Sequence, residues 1–223
     1  MFRLTSFLER RPALGHDEFI EYWWREHSPL AESLPGLRKY TTTRPLHPSE
    51  ASYDGVAELY FDDRAAFNAV LGPDAETDAM NDVSNFIERT SRFHLRETIH
   101  VDRERGERPE TDSETPLTER TDLPVASFAA FRRRDTVDTT TFENAIADTV
   151  ERVRADPTVR WFSTAKPTDD ADADLVLKRT TDPADAPRSP SESFAAMEAV
   201  ADVTHEFSGY ERTVVDDIDQ SNG

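Results

Sequence analysis

Apolar and polar residues alternate at the start of the chain. Phe2, Leu4, Ser6 and Leu8 fall on one side and Arg3, Thr5 and Phe7 on the other. This period of two predicts a strand over about residues 2–8. Pro12 and Gly15 break it. From Asp17 the period becomes helical, with Phe19, Ile20, Trp23, Trp24 and Leu30 on one stripe, and predicts a helix over about residues 16–34. Gly15 serves as its N-cap and Glu18 follows three residues on, a capping box without the hydroxyl. His27 lies four residues after Trp23 and three after Trp24, on the same face. Pro29 biases Ser28 away from helical geometry, so the helix is expected to kink or change character there.

The pattern continues with a second strand from Leu37 and a third over about 55–61. Helical segments follow over about 63–71 and 75–90, then a fourth strand over about 92–101. Residues 103–123 are charged, carry Pro109 and Pro116, and hold few apolar residues, so they predict a flexible surface linker. Beyond it the order repeats. VASFAAFRR, from Val125 to Arg133, predicts a strand. The next helix opens on a Thr140–Glu143 capping box, buries Phe142, Ile146, Val150 and Val153, and stops at Pro157. VRWFST and ADLVLKRT predict two more strands. A helix is then expected from a Ser189–Glu192 capping box, with Phe194, Met197, Ala201 and Phe207 toward a core, followed by a closing strand from Gly209 to Asp216. Two β-α-β-β-α-β units result, 1–102 and 124–217, joined by the linker and ending in a disordered tail over 218–223.

Composition narrows the function. The 223 residues hold 45 acidic side chains against 26 basic ones, a formal net charge of −19, and only three of the basic residues are lysines. The acid is spread along the whole chain. It argues against nucleic-acid or anionic membrane partners and points to a halophilic protein of a high-salt cytoplasm, where screening relieves self-repulsion. The absence of cysteine excludes disulfides, a cysteine nucleophile and thiolate metal sites. No apolar run reaches membrane-spanning length and no leader pattern precedes the first strand, so a cytoplasmic protein is expected. Seven glycines leave no phosphate-binding loop, no histidine–carboxylate set has metal-ligand spacing, and no cofactor is expected.

Among chemistry-bearing residues, His27 can exchange a proton near neutrality beside an aromatic wall. The plain alternative is a structural role at the Pro29 kink. Glu58 shares a strand face with Val56 and Tyr60, and Glu97 shares one with Phe93 and Leu95. Each is either a carboxyl with a raised pKa or one half of an ion pair with an arginine such as Arg3 or Arg38. Tyr40 can hydrogen-bond a substrate oxygen or simply pack. Asp82 ends the second helix and is otherwise an ordinary surface carboxylate. Trp23 and Tyr60 are pocket-lining candidates. His205 is expected near a helix end, and His94 and His100 on a solvated strand face.

The motifs FLERRP, YWWREHSPL and LPGLRKY resemble those of the EthD family. YDGVAELYF (53–61), NDVSNFI (81–87) and FHLRETIHV (93–101) extend the likeness over roughly the first hundred residues. Ser28 departs from it, standing where many relatives have a second histidine. The resemblance implies ferredoxin-like α+β domains of the dimeric α+β barrel type, either as an internal pseudo-dimer in one chain or as a homodimer. It further implies a cofactor-independent oxidoreductase- or lyase-type enzyme for a small aromatic or carbonyl compound. In that reading His27, Tyr40 and Glu58 are catalytic and Trp23, Tyr60, Glu97 and Asp82 bind substrate. A non-catalytic accessory protein of an oxygenase system, and a haem-binding barrel using His205 or His27, are the alternatives.

Overall fold

The structure is a computed structural model that describes residues 1–103, 119–187 and 194–217. Its contacts divide the chain into two compact units. One holds Met1–Leu95, Arg120 and the chain from Glu211; the other holds Arg96 onward and Thr121–Tyr210.

The first unit begins with β1 (Phe2–Arg10) and α1 (His16–Tyr22). A wide π turn over Trp23–His27 leads into α2 (Ser28–Glu32). Then come β2 (Leu37–Pro45), β3 (Gly55–Phe61), α3 (Arg64–Leu71), α4 (Asp78–Phe86) and β4, which starts at Ile87 and runs to Asp102. β3 lies antiparallel between β1 and β2, with Leu4 and Tyr40 both opposite Leu59. β4 borders β1, and the end of β8 borders β2. The helices cover one face of this sheet. Alternation therefore sends Leu4, Ser6, Leu8, Ala57 and Leu59 toward them and Arg3, Thr5, Glu58 and Tyr60 to the other face.

The helix changes character just before Pro29, as its sequence predicts. It does not break at Pro29, and Ser28 keeps helical dihedrals. Instead the Ser28 N–H reaches back five residues to the Trp23 carbonyl. The widened turn makes room for a proline ring that would strike the carbonyl of an ordinary helical turn. At the start of α1, the Glu18 carboxylate accepts the Gly15 N–H at 2.8 Å, so only the backbone half of the box forms. Helix α4 also ends earlier than its pattern suggests. Ile87 already belongs to β4, because the residues from Glu88 to Ser91 are too polar to give a helix a buried stripe.

In the second unit β5 (Val125–Arg133), α5 (Thr139–Ala155), β6 (Val159–Pro167), β7 (Leu175–Thr181) and β8 (Ala201–Asp216) follow one another. The β5 strand lies between β7 and β8, and β7 between β5 and β6. The core gathers Phe131, Phe142, Val153, Phe162, Phe194 and Met197. Asp138, not Thr140, caps α5, accepting the Thr141 N–H at 2.8 Å.

The second helix expected in this unit does not form among the described residues. Phe194 and Met197 are buried as expected, but they sit before and in a single tight turn, Met197–Ala199, and β8 starts at Ala201. Ala201 and Phe207 stand six residues apart, which is not the spacing of one helical stripe, and pairing with β5 makes the segment a strand. The Ser189–Glu192 box, most of the linker and the tail lie outside the described residues. Both ends of the linker are packed. The Arg103 guanidinium donates to the Asp156 and Arg154 carbonyls, and Arg120 and Leu123 are buried.

Candidate functional site

Between the sheet of the first unit and its helices lies a cavity of about 580 Å³. Its walls are mostly apolar, with Leu4, Leu59, Phe67, Met80 and Phe86 among them. His27, Tyr40 and Trp23 also line it. Few polar groups in an apolar concavity is the usual make-up of a small-molecule site.

His27 is the last residue of the π turn and is buried. Its Nδ1 lies 2.9 Å from Oδ2 of Asp82 on α4. A carboxylate accepts only, so Nδ1 carries the hydrogen and Nε2 is left with its lone pair for a ligand. The ring packs on Phe86, with centroids 4.7 Å apart. Asp82 is itself fixed. Its Oδ1 accepts from the Tyr22 hydroxyl at 2.7 Å and from the Asn85 amide at 2.8 Å. Three elements thus converge on one imidazole: the end of α1, the π turn and α4.

The electrostatics favour a neutral histidine. Burial lowers the His27 pKa from its usual value, and the Asp82 hydrogen bond and charge offset this only in part. Burial alone would raise the Asp82 pKa, but the hydrogen bonds from Tyr22, Asn85 and His27 outweigh it, and the carboxyl is held below its ordinary range. Near neutrality the pair is a carboxylate with a neutral imidazole, the form required of a base.

Tyr40 is fully buried, and burial raises its pKa. Its hydroxyl accepts from Trp23 Nε1 at 3.0 Å, so the phenol keeps its own hydrogen to donate. The Trp23 ring is pressed against Gly55, where an added Cβ would come within 2.4 Å of it. Glycine at that position is therefore what lets the indole reach the sheet.

The remaining candidates stand elsewhere. Glu58 and Tyr60 point to the sheet face opposite the cavity. Glu58 lies 3.4 Å from Arg3 Nη1, both side chains being fully buried, and accepts from Thr41 Oγ1 at 3.1 Å. The arginine ion pair is therefore its observed setting. Tyr60 lies between the cations of Arg3 and Lys39, at 5.9 and 6.0 Å from its ring centre. Glu97 is buried on the side of Phe93 and Leu95 and does not line the cavity. Alternation could show that Glu58 and Tyr60 share a face, but not which face the helices cover.

The histidines are also redistributed. His205 is on β8, not at a helix end, with Nδ1 3.1 Å from the Thr204 hydroxyl. His94 is not simply solvated: it lines the cavity and packs edge-on to Phe67 at 5.2 Å. His100 Nε2 lies 2.8 Å from Thr164 Oγ1. Arg64 and Arg92 line the cavity as well and were not singled out by the sequence. The available signal was the polar alternation of Arg92 and His94 on a strand face, which is unusual once that face is covered. Among the described residues no cluster of three or more histidine, aspartate or glutamate side chains is arranged to hold a metal ion. No described helix is long and apolar enough to cross a membrane.

The segment that carries His27, Tyr40 and Asp82 matches a known family over residues 11–90. The matching family is the EthD domain. No curated protein matches the chain closely enough to count as a relative. Solved structures share the fold beyond the EthD domain. An anthrone oxidase-like protein aligns over 97% of this chain and 94% of its own, at 10% identity and a TM-score of 0.55. A candidate monooxygenase from Lactobacillus acidophilus NCFM aligns over 95% and 92%, at 11% identity and 0.53. A variant chlorite dismutase from Candidatus Nitrospira defluvii, solved with cyanide, aligns over 95% and 90%, at 10% and 0.54. At such identities what is shared is an α+β fold, and function must be argued from the site.

Proposed function

We propose that the EthD domain binds a small aromatic or carbonyl-bearing compound in its cavity and that His27 moves a proton on it. The observation that carries this reading is the His27–Asp82 pair at 2.9 Å on the wall of a mostly apolar cavity. Asp82 orients the imidazole and stabilises the imidazolium that forms when Nε2 takes a proton. The Tyr40 phenol, held by Trp23, donates to an oxygen on which charge develops. Removal of a proton beside a carbonyl, leaving an enolate, is the step these groups suit. It serves an oxidoreductase- or a lyase-type outcome, and the names of the structural neighbours favour the first. Here Asp82 positions the base rather than touching substrate, and Glu58, Tyr60 and Glu97 take no part.

The test is turnover of anthrone and related aromatic carbonyl compounds, read by product mass and oxygen uptake. His27→Gln is expected to lower the rate by about 10²–10⁴-fold, the usual share of a general base. Turnover unchanged in that variant sinks the catalytic assignment. Binding without turnover in the wild-type protein would favour an accessory role instead.

We also read the two units as tandem ferredoxin-like copies that act as an internal pseudo-dimer. Both have their strands in the order fourth, first, third, second. Native mass spectrometry is expected to give a monomer; a dimer would favour pairing between chains.

A further inference from the structure

The cavity lining has a charge pattern opposite to that of the chain. Forty-five acidic residues make this protein strongly anionic, yet no aspartate or glutamate lines the cavity. Its charged or chargeable lining groups are Arg64, Arg92, His27 and His94. Arg64 lies with its guanidinium over the Phe2 ring, 5.8 Å from the centre. Arg92 differs from it. Among the described residues it makes no hydrogen bond or ion pair, and packing around it lowers its pKa through desolvation alone. Elsewhere in this unit arginines have evident partners: Arg3 has Glu58, Arg10 has Asp54 and Arg38 has Asp62. Arg92 is exposed on the cavity wall, so its cation stays hydrated there and is open to a charge-assisted contact with a bound anion.

The place of Arg92 along β4 adds a length. Phe86 and Ile87 sit at the His27 end of the cavity. Five residues of strand, roughly 17 Å at about 3.4 Å each, separate Ile87 from Arg92. The apolar middle is the space between the two polar ends.

Resting on the assignment of the cavity as a ligand site, we infer that its ligand is an elongated acid, with an apolar body between His27 and a carboxylate or similar anion held by Arg92. Arg64 and the Asn68 amide, both on α3 and both lining the cavity, stand at its exposed side and can assist. The surface charge of the chain does not prevent this. Charges more than about 8 Å away are largely screened at physiological salt, whereas a direct guanidinium–carboxylate contact is not.

The experiment is a fluorescence titration with a matched pair of probes, 1-pyrenebutyrate and 1-pyrenebutanol, on the wild-type chain, Arg92→Gln and Arg92→Lys. The acid is expected to bind about ten- to a hundredfold tighter than the alcohol, the range of one charge-assisted contact. Arg92→Gln should remove that preference while leaving the alcohol's affinity as it was, and Arg92→Lys should keep part of it. Equal affinity for the two probes in the wild-type protein overturns the inference but leaves the cavity as a ligand site. So does an equal loss for both probes in Arg92→Gln. Failure of both probes to bind overturns the inference together with the cavity reading on which it rests.

Discussion

His27 shows how much a residue's meaning depends on its neighbours. In the sequence it is a histidine beside a proline. In the fold its Nδ1 is fixed by Asp82, which is 55 residues away, and its ring by Phe86. The pKa shifts carry a sign. His27 is lowered in the fold, so the native state binds its proton less readily than the unfolded chain does. Its contribution to stability is complete above the unfolded value of about 6.5 and is lost as pH falls toward the lower folded value. A base in this setting should keep its activity at neutral pH and lose it on the acid side of 6.5. Asp82→Asn takes away the charge that pulls the His27 pKa upward, so the midpoint should fall further. A ring-proton NMR titration checks this, and an upward movement would show that Asp82 does not act on His27 as described. Arg92 is a related case: its alternation with His94 is visible in the sequence, but a polar strand face means solvent unless helices cover it.

Among the elements, α4 positions the site. It carries Asp82, Asn85 and Phe86 within two turns, and its N-terminus is capped by Thr77, whose Oγ1 accepts the Met80 N–H at 3.3 Å. Thr77→Ala should cost about 1 kcal/mol of stability, the usual value of such a cap. Chemical denaturation reads this as a lower midpoint at unchanged slope. The π turn is the second decisive element. It carries Trp23 and His27 and leads the chain through Pro29 without a break. The sequence foretells a change of character near Pro29, but its form depends on room made by packing. The strands are easier to read. The third strand of the first unit runs over Gly55–Phe61 as the alternation predicts. The last segment reads as a helix in the sequence and is a strand in the fold. Its apolar residues are too irregularly spaced to settle the period, and pairing with β5 is a long-range fact.

For the whole molecule, the net charge of −19 matters more than any single contact. Like charges repel at low ionic strength and are screened within about 3 Å at 1 M salt. The thermal midpoint is therefore expected to fall as salt is lowered from molar to about 0.1 M, and a calorimetric scan at several salt concentrations measures it. A midpoint independent of salt would mean that local pairs, such as Arg38 with Asp62, already balance the surface.

The element order of the first unit, most of the strands of both units and the likeness of residues 11–90 to the EthD domain can be read from the residues alone. Local periodicity, caps and prolines act over a few residues and can be read one after another. The sequence also singled out His27, Tyr40, Trp23 and Asp82, which the fold gathers at one cavity or beside it. Which face of the sheet the helices cover follows from long-range packing alone. That choice placed Glu58 and Tyr60 with Arg3 on the far side and brought Arg92 and His94 to the cavity. Alternation divides a strand into two faces, but only packing between distant segments says which of them meets a ligand.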